Sequence, residues 1–270
     1  MAMRILTLLL TLSLVSLAYL GCEVHPQSEY HEQIVIQGQM TIGKSPIIRI
    51  THTVPITQTL FDDDIGVTGA TVTMMADSME VGMPEFVQAG RSGYYGDRFW
   101  YHVAAGVHYK LHVEANGQVL TAETVAAGPL HITYRSDDTV AYGGDELLLR
   151  WRPDTLAAGY MVLIDNMEDE CCRQPVNGNA NTFVGGSASN WSVSNLEDSL
   201  RVPWIILHYY GMHQVIIYSC DRAMWDYSYS AVYGQVENYP VTNVHGGLGL
   251  FSAGGVDTTY FDLVPDTVAQ

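Results

Sequence analysis

"VHYKLHVEANGQVLTAETV", residues 107–125, decides what kind of fold this chain adopts. Val107, Tyr109, Leu111 and Val113 alternate with His108, Lys110, His112 and Glu114. That is the period of a strand with one buried face. Asn116-Gly117 follows, and both residues tolerate the positive φ that a two-residue type I′ hairpin requires. Gln118 to Val125 then reads as the returning strand.

The same pattern extends on both sides. Ile34-Val35-Ile36 opens a strand and 47–54 forms another, with turn chemistry at Gly43-Lys44-Ser45-Pro46 between them. Over 67–74, Ala70, Val72 and Met74 alternate with threonines. Residues 31–127 are therefore expected to form one small β-sandwich, and Gly128-Pro129 the joint to a second over 128–265. In the second, Glu146–Trp151 and Gly159–Asp165 read as paired strands. Residues 176–199 read as a long irregular connection, and 202–209 and 213–219 as further strands. One stretch breaks the β pattern: apolar residues at Met224, Tyr227 and Ala231 predict a short helix over 221–233, capped by Ser219 or Asp221. The fold class is all-β, two sandwiches with one short helix.

The start of the chain carries a different signal. A basic Met1–Arg4 precedes an apolar run, Ile5 to Leu20, that is short for a membrane span and reads as a secretory signal over 1–21. Gly21-Cys22 at its end resembles a bacterial lipobox, which would make Cys22 the site of lipid attachment and 22–30 a tether. Tyr19 and Leu20 depart from the usual lipobox residues. The expected location is the outer membrane, held by lipid on its periplasmic or outer side.

Composition excludes some partners. With 12 Lys and Arg against 29 Asp and Glu, the net charge is −17, and nucleic acid would be repelled. Besides Cys22 the chain has Cys171, Cys172 and Cys220. Cys220 could bridge to either member of the vicinal pair in an exported protein, with Cys172–Cys220 the candidate disulfide.

The glycines of "VTNVHGGLGLFSAGG" (241–255) lead into a strand-like 256–263 rather than a helix, so they do not form a phosphate cradle. They read as bulges or close approaches of backbone. No Gly-x-Ser-x-Gly or His-Glu-x-x-His occurs. His108 and His112 lie ~13 Å apart along one strand, too far to share an ion. His208 and His213, at an odd separation, would face opposite sides; the histidines read as solvated. Asp62, Asp63 and Asp64 are weak Ca²⁺ candidates without loop spacing to support them. Asp165, Glu168, Asp169 and Glu170 read as a solvated acidic loop. Tyr94, Tyr95, Trp100 and Tyr101, like Tyr209 and Tyr210, fit either an aromatic binding edge or core and strand pairs. No cofactor is expected.

In the order of its pieces the chain resembles a family of two-domain outer-membrane lipoproteins of Bacteroidetes type, with no assigned activity and often encoded beside TonB-dependent receptors. The resemblance rests on 30–56, "GVTGATVTM" (66–74), 104–130, "LLLRWRPDTLAAGYMVLI" (147–164) and "NVHGGLGLFSAGG" (243–255). The first domain also resembles transthyretin-like modules, and the strands at 147–164 are fibronectin-like. The resemblance implies a non-enzymatic envelope lipoprotein that binds a partner protein or surface ligand, as an accessory to a TonB-dependent receptor. Rival readings are a pilin- or adhesin-like subunit assembled by strand exchange, and a hydrolase with a loop-built site that no residue spacing selects.

Overall fold

The computed structural model describes residues 30–55, 65–97, 99–169, 172–176, 188–193, 197–233 and 240–266. In the first part of the chain the strands are β1 (Ile34–Thr41), β2 (Ile47–His52), β3 (Thr71–Ala76), β4 (Met79–Gly82), β5 (Glu85–Gln88), β6 (Arg91–Gly96), β7 (His108–Ala115) and β8 (Gln118–Val125). The next are β9 (Ile132–Arg135), β10 (Thr139–Ala141), β11 (Leu148–Trp151), β12 (Gly159–Asn166), β13 (Ala188–Val193), β14 (Ser199–Arg201) and β15 (Gly211–Cys220). The helix α1 (Arg222–Tyr233) is followed by β16 (Val244–His245), β17 (Leu248–Gly254) and β18 (Val256–Val264).

The hairpin over 107–125 is formed as expected. Ala115 pairs with Gln118 across Asn116 (φ 50°) and Gly117 (φ 75°), and Tyr109, Leu111, Val113 and Ala115 are buried. It lies in a sheet of order β16-β8-β7-β3-β4, which faces a second of order β17-β1-β2-β6-β5. Between them Ile34, Ile36, Ile48, Ile50, Met74, Tyr95, Tyr109 and Phe251 form one core. Burying each such side chain contributes about 1.5–3 kcal/mol. Tyr95 brings its hydroxyl into that core with partners, donating to Val67 O (2.9 Å) and accepting from Ala70 N–H (3.0 Å).

This first lobe corrects the expected division at 127/128. Residues 31–127 do not close it alone, because β16 and β17 return from beyond residue 240. β17 pairs in parallel with β1 over Val35–Thr41, and β16 pairs with β8. Val244, Phe251 and Ala253 belong to the first core. Asn243 seals the corner between the two sheets. Its amide oxygen accepts Phe251 N–H (3.0 Å), while its nitrogen donates to Phe251 O (2.7 Å) and Glu123 O (2.9 Å).

The second lobe packs the sheet β10-β18-β15-β12-β13 against β14-β11-β9. β11 and β12, expected as a pair, lie in different sheets and meet through side chains across the core. Trp151 and Tyr160 stand edge to face at 5.3 Å. Residues 202–209 are not a strand: after Val202 the chain makes a 3₁₀ turn at Trp204–Ile206, packed against Tyr142 (5.5 Å between rings). Within the expected irregular connection, 188–193 pairs with β12. The unread strands β4 and β5 form edges of the first lobe's two sheets, and β6 lies between β2 and β5.

The helix is where expected. Asp221 caps it, its Oδ1 accepting Met224 N–H at 2.8 Å. Gly159 makes room for the helix, since a Cβ there would meet the Trp225 ring at 2.5 Å.

Candidate binding groove at the joint

The joint between the lobes is held by buried polar groups. Besides capping α1, Asp221 accepts Thr124 Oγ1–H from β8 and Ala253 N–H from β17, each at 2.6 Å. One carboxylate thus ties the helix to two strands of the first lobe. Burial pushes its pKa above the ordinary carboxylate value, against these three donors, which lower it. Beside it Ser219 donates to Gly128 O (2.6 Å) and accepts Gly255 N–H (2.8 Å). The glycines of 241–255 serve close approach, as the sequence suggested. A Cβ on Gly254 would meet Ser219 O at 2.0 Å, and one on Gly255 would meet Leu130 N at 2.4 Å.

Next to this locked joint, on the outer face of the sheet containing β1, lies an open groove of about 480 Å³. Its floor follows from register. Leu250, Gln37, Arg49 and Tyr94 line it and are each directly opposed to the next across four strands, with Phe86 following Tyr94 in the same row beyond the lining. Opposed residues share a face, and the neighbouring Ile36, Gly38, Ile48 and Tyr95 point into the core. The Arg49 guanidinium carbon sits 5.3 Å from the centre of the Tyr94 ring, and the Tyr94 and Phe86 rings are 5.9 Å apart. Tyr227 of α1 and Gln39 of β1 also line the groove. The lining combines two phenols, two carboxamides, a guanidinium and aliphatic groups. It can hold an organic ligand or a side-chain cluster of a partner by apolar contact with a few hydrogen bonds.

Of the aromatic, acidic, histidine and cysteine residues weighed as site candidates from sequence, only Tyr94 lies in this groove, with Gly249 of the glycine stretch beside it. Tyr95 is core, Tyr101 packs edge-on against Tyr109, and Trp100 is exposed. Tyr210 stacks edge-on against Tyr142, and Tyr209 lies under Arg173 at 5.7 Å. Cys22, Asp62, Asp63, Asp64, Cys171 and Glu170 lie outside the described residues. Among the described residues, no three His, Cys, Asp or Glu side chains are grouped to hold a metal.

The Cys172–Cys220 bridge is not formed. Cys220 pairs with Gly159 at one end of β12, whereas Cys172 follows the other end, Asn166. The strand between spans seven residue steps, ~23 Å at the usual rise. Cys220 is a buried free thiol, its pKa pushed up to about 12 by desolvation and then by Asp221.

His213 is a further correction, because it is buried rather than solvated. It stacks on Phe261 (5.0 Å, 16°) and its Nδ1 lies 2.8 Å from Gly211 O. With Nδ1–H donating there, Nε2 is left to accept from Asn166 Nδ2 at 3.4 Å, which describes a neutral ring. Desolvation lowers its pKa despite the nearby Asp262, Asp165 and Glu168. His108 and His112 are surface residues beside Glu123 (3.2 Å) and Glu114 (3.1 Å).

Sequence reasoning missed Gln37, Gln39, Arg49 and Tyr227. The available signal was the pair of glutamines at alternate positions in "IVIQGQM" (34–40), on the face opposite Ile34, Ile36 and Met40.

Fold and groove together define an all-β protein of two interlocked sandwich lobes with an open groove beside their joint. The chain belongs to the family described as "Domain of unknown function (DUF4249)", whose profile matches residues 23–260. Among solved structures, the N-terminal Ig1-2 module of the Drosophila receptor protein tyrosine phosphatase DLAR covers 87% of this chain and 100% of its own, at 11% identity and a TM-score of 0.25. At that score the fold rests on the strand pairings described above. No curated protein matches the chain.

Proposed function

We propose that this protein is a non-enzymatic lipoprotein of the cell envelope, anchored through Cys22, that binds a partner protein or ligand in the groove beside the joint. The observation that carries the reading is the pairing of a locked joint with an open groove. Asp221 and Ser219 fix helix and sheet to one another, and the helix supplies Tyr227 to the groove next to them. A site preorganised in this way binds without first ordering its walls. The gene-neighbourhood resemblance and the lipobox make a TonB-dependent receptor of the outer membrane the partner of first choice.

The test is intact mass of the membrane-extracted protein, with Cys22→Ser as control, followed by affinity capture in mild detergent. The expected result is a mature chain beginning at Cys22 with acyl mass. A β-barrel receptor should co-purify and be lost from a Gln37→Ala/Tyr227→Ala variant. An unlipidated soluble protein, or capture indifferent to the groove substitutions, overturns the reading.

A further inference from the structure

A second surface feature lies in the loop joining β6 to β7. Phe99 is 74% exposed and Trp100 is 91% exposed, two large aromatics side by side. The surface of a soluble protein seldom presents such a pair without a use for it. The loop is built to display them. Asp97 Oδ1 accepts the N–H groups of Phe99 (2.9 Å) and Trp100 (3.0 Å), and its Oδ2 accepts that of Tyr101 (2.8 Å). Tyr101 turns the other way, its hydroxyl 2.8 Å from that of Tyr109. Of three consecutive aromatics, the third roots the loop in the core and the first two point outward.

The charge beside them differs from that of the chain as a whole. The β1–β2 turn is bonded to this loop, Lys44 O accepting Val103 N–H (2.9 Å) and Gly43 N–H reaching Val103 O (2.8 Å). Lys44 and His102 are exposed there. The single carboxylate of the stretch 97–113, Asp97, is engaged by three backbone donors. In a chain of net charge −17, this tip presents apolar rings beside Lys44, with Asp97 as the one carboxylate of its stretch.

We infer that Phe99 and Trp100 insert into the boundary between headgroups and acyl chains of a phospholipid bilayer, with Lys44 facing the lipid phosphates. Tryptophan favours this depth because its ring is apolar and its N–H still reaches polar groups. A cation beside the aromatics adds attraction to phosphate. The inference rests on the envelope reading for its biological setting. It makes a membrane contact separate from the lipid on Cys22.

The test uses the mature chain with Cys22→Ser, so that no acyl group contributes, and phosphatidylcholine vesicles, which lack the net negative charge that would repel it. Vesicle sedimentation should show binding, and Phe99→Ala/Trp100→Ala should weaken it by about tenfold or more, with an unchanged Tm because both side chains are exposed. Brominated phosphatidylcholine should quench the tryptophan emission of the parent. Trp100→Phe should keep most of the binding and lose most of the quenching. Absence of vesicle binding by the parent, or equal binding by the double variant, overturns the inference. So does a soluble protein captured through the two aromatics in place of lipid. Because pure lipid and an unlipidated chain are used, failure here leaves the acyl-mass and groove measurements unaffected.

Discussion

The two lobes close by the same device drawn from different distances. In the second, β10 runs parallel to β18 and completes its sheet. In the first, β1 runs parallel to β17, a strand that arrives after α1 and all of the second lobe except β18 have been laid down. The second lobe is continuous from 128 to 264 apart from the excursion through β16 and β17, whereas the first is two separate pieces of chain. Local sequence can describe the faces of all these strands, but it carries no mark of which sheet a strand will join. The lesson is that the lobes are packing units and not independent pieces of sequence.

The sharpest way to break the comparison is to express residues 31–127 alone. This fragment lacks Val244, Phe251 and Ala253 from its core and the strand beside β1. It should show no cooperative unfolding transition by circular dichroism, while 31–266 should. A folded fragment would mean that β17 is an accessory to the first lobe rather than its closure.

A smaller effect should separate glycines that close a lobe from those that only turn the chain. Gly249 has φ 109°, and a Cβ there would meet Ile36 O at 2.0 Å. Gly249→Ala should cost about 3–5 kcal/mol in denaturant unfolding, because neither backbone can retreat. Gly117, with φ 75° and open space around it, should cost only about 1–2 kcal/mol as Ala. Similar losses at the two sites would remove the distinction.

The smallest effect belongs to the second lobe. His213 is held neutral by burial, so its folded pKa lies below the unfolded value of 6.5. A group of this kind contributes full stability above 6.5. Below it the unfolded chain takes up a proton that the folded chain refuses, so stability falls with pH until the folded pKa is reached. The slope cannot exceed about 1.4 kcal/mol per pH unit. Urea midpoints between pH 7.5 and 5.5, both chosen as roughly straddling this range, should fall more for the parent than for His213→Gln. Parallel curves would place the titration elsewhere.

Much of this fold was legible where a single element carried its own signal. The β7–β8 hairpin announces face, turn and register in nineteen consecutive residues, 107–125, and α1 shows its spacing together with Asp221 as cap. β11 and β12 were legible as strands and illegible as partners, since each fits a buried face equally well in the same sheet or across the core. His213 could have been read as buried, because it shares the parity of Val215 and Ile217. The groove was largely hidden: its floor is a row of residues from four strands, and only register brings Leu250, Gln37, Arg49 and Tyr94 into line. Cys220 and Cys172 are close in type and far apart in the fold, a separation that cysteine counting cannot reveal.

Gly255 is the point at which the chain leaves one lobe for the other, between the end of β17 at Gly254 and the start of β18 at Val256. During synthesis the first lobe must therefore wait, with the partner side of β1 uncovered, until all of the second lobe's chain except β18 has also been made. Both lobes then receive their last strands within about twenty residues of each other. Contacts of such sequence separation slow folding and lengthen the time for which strand edges stay exposed. Closure is a late and nearly simultaneous event, so a ribosome-bound chain stopped short of residue 244 would hold two unfinished sandwiches rather than one finished and one pending.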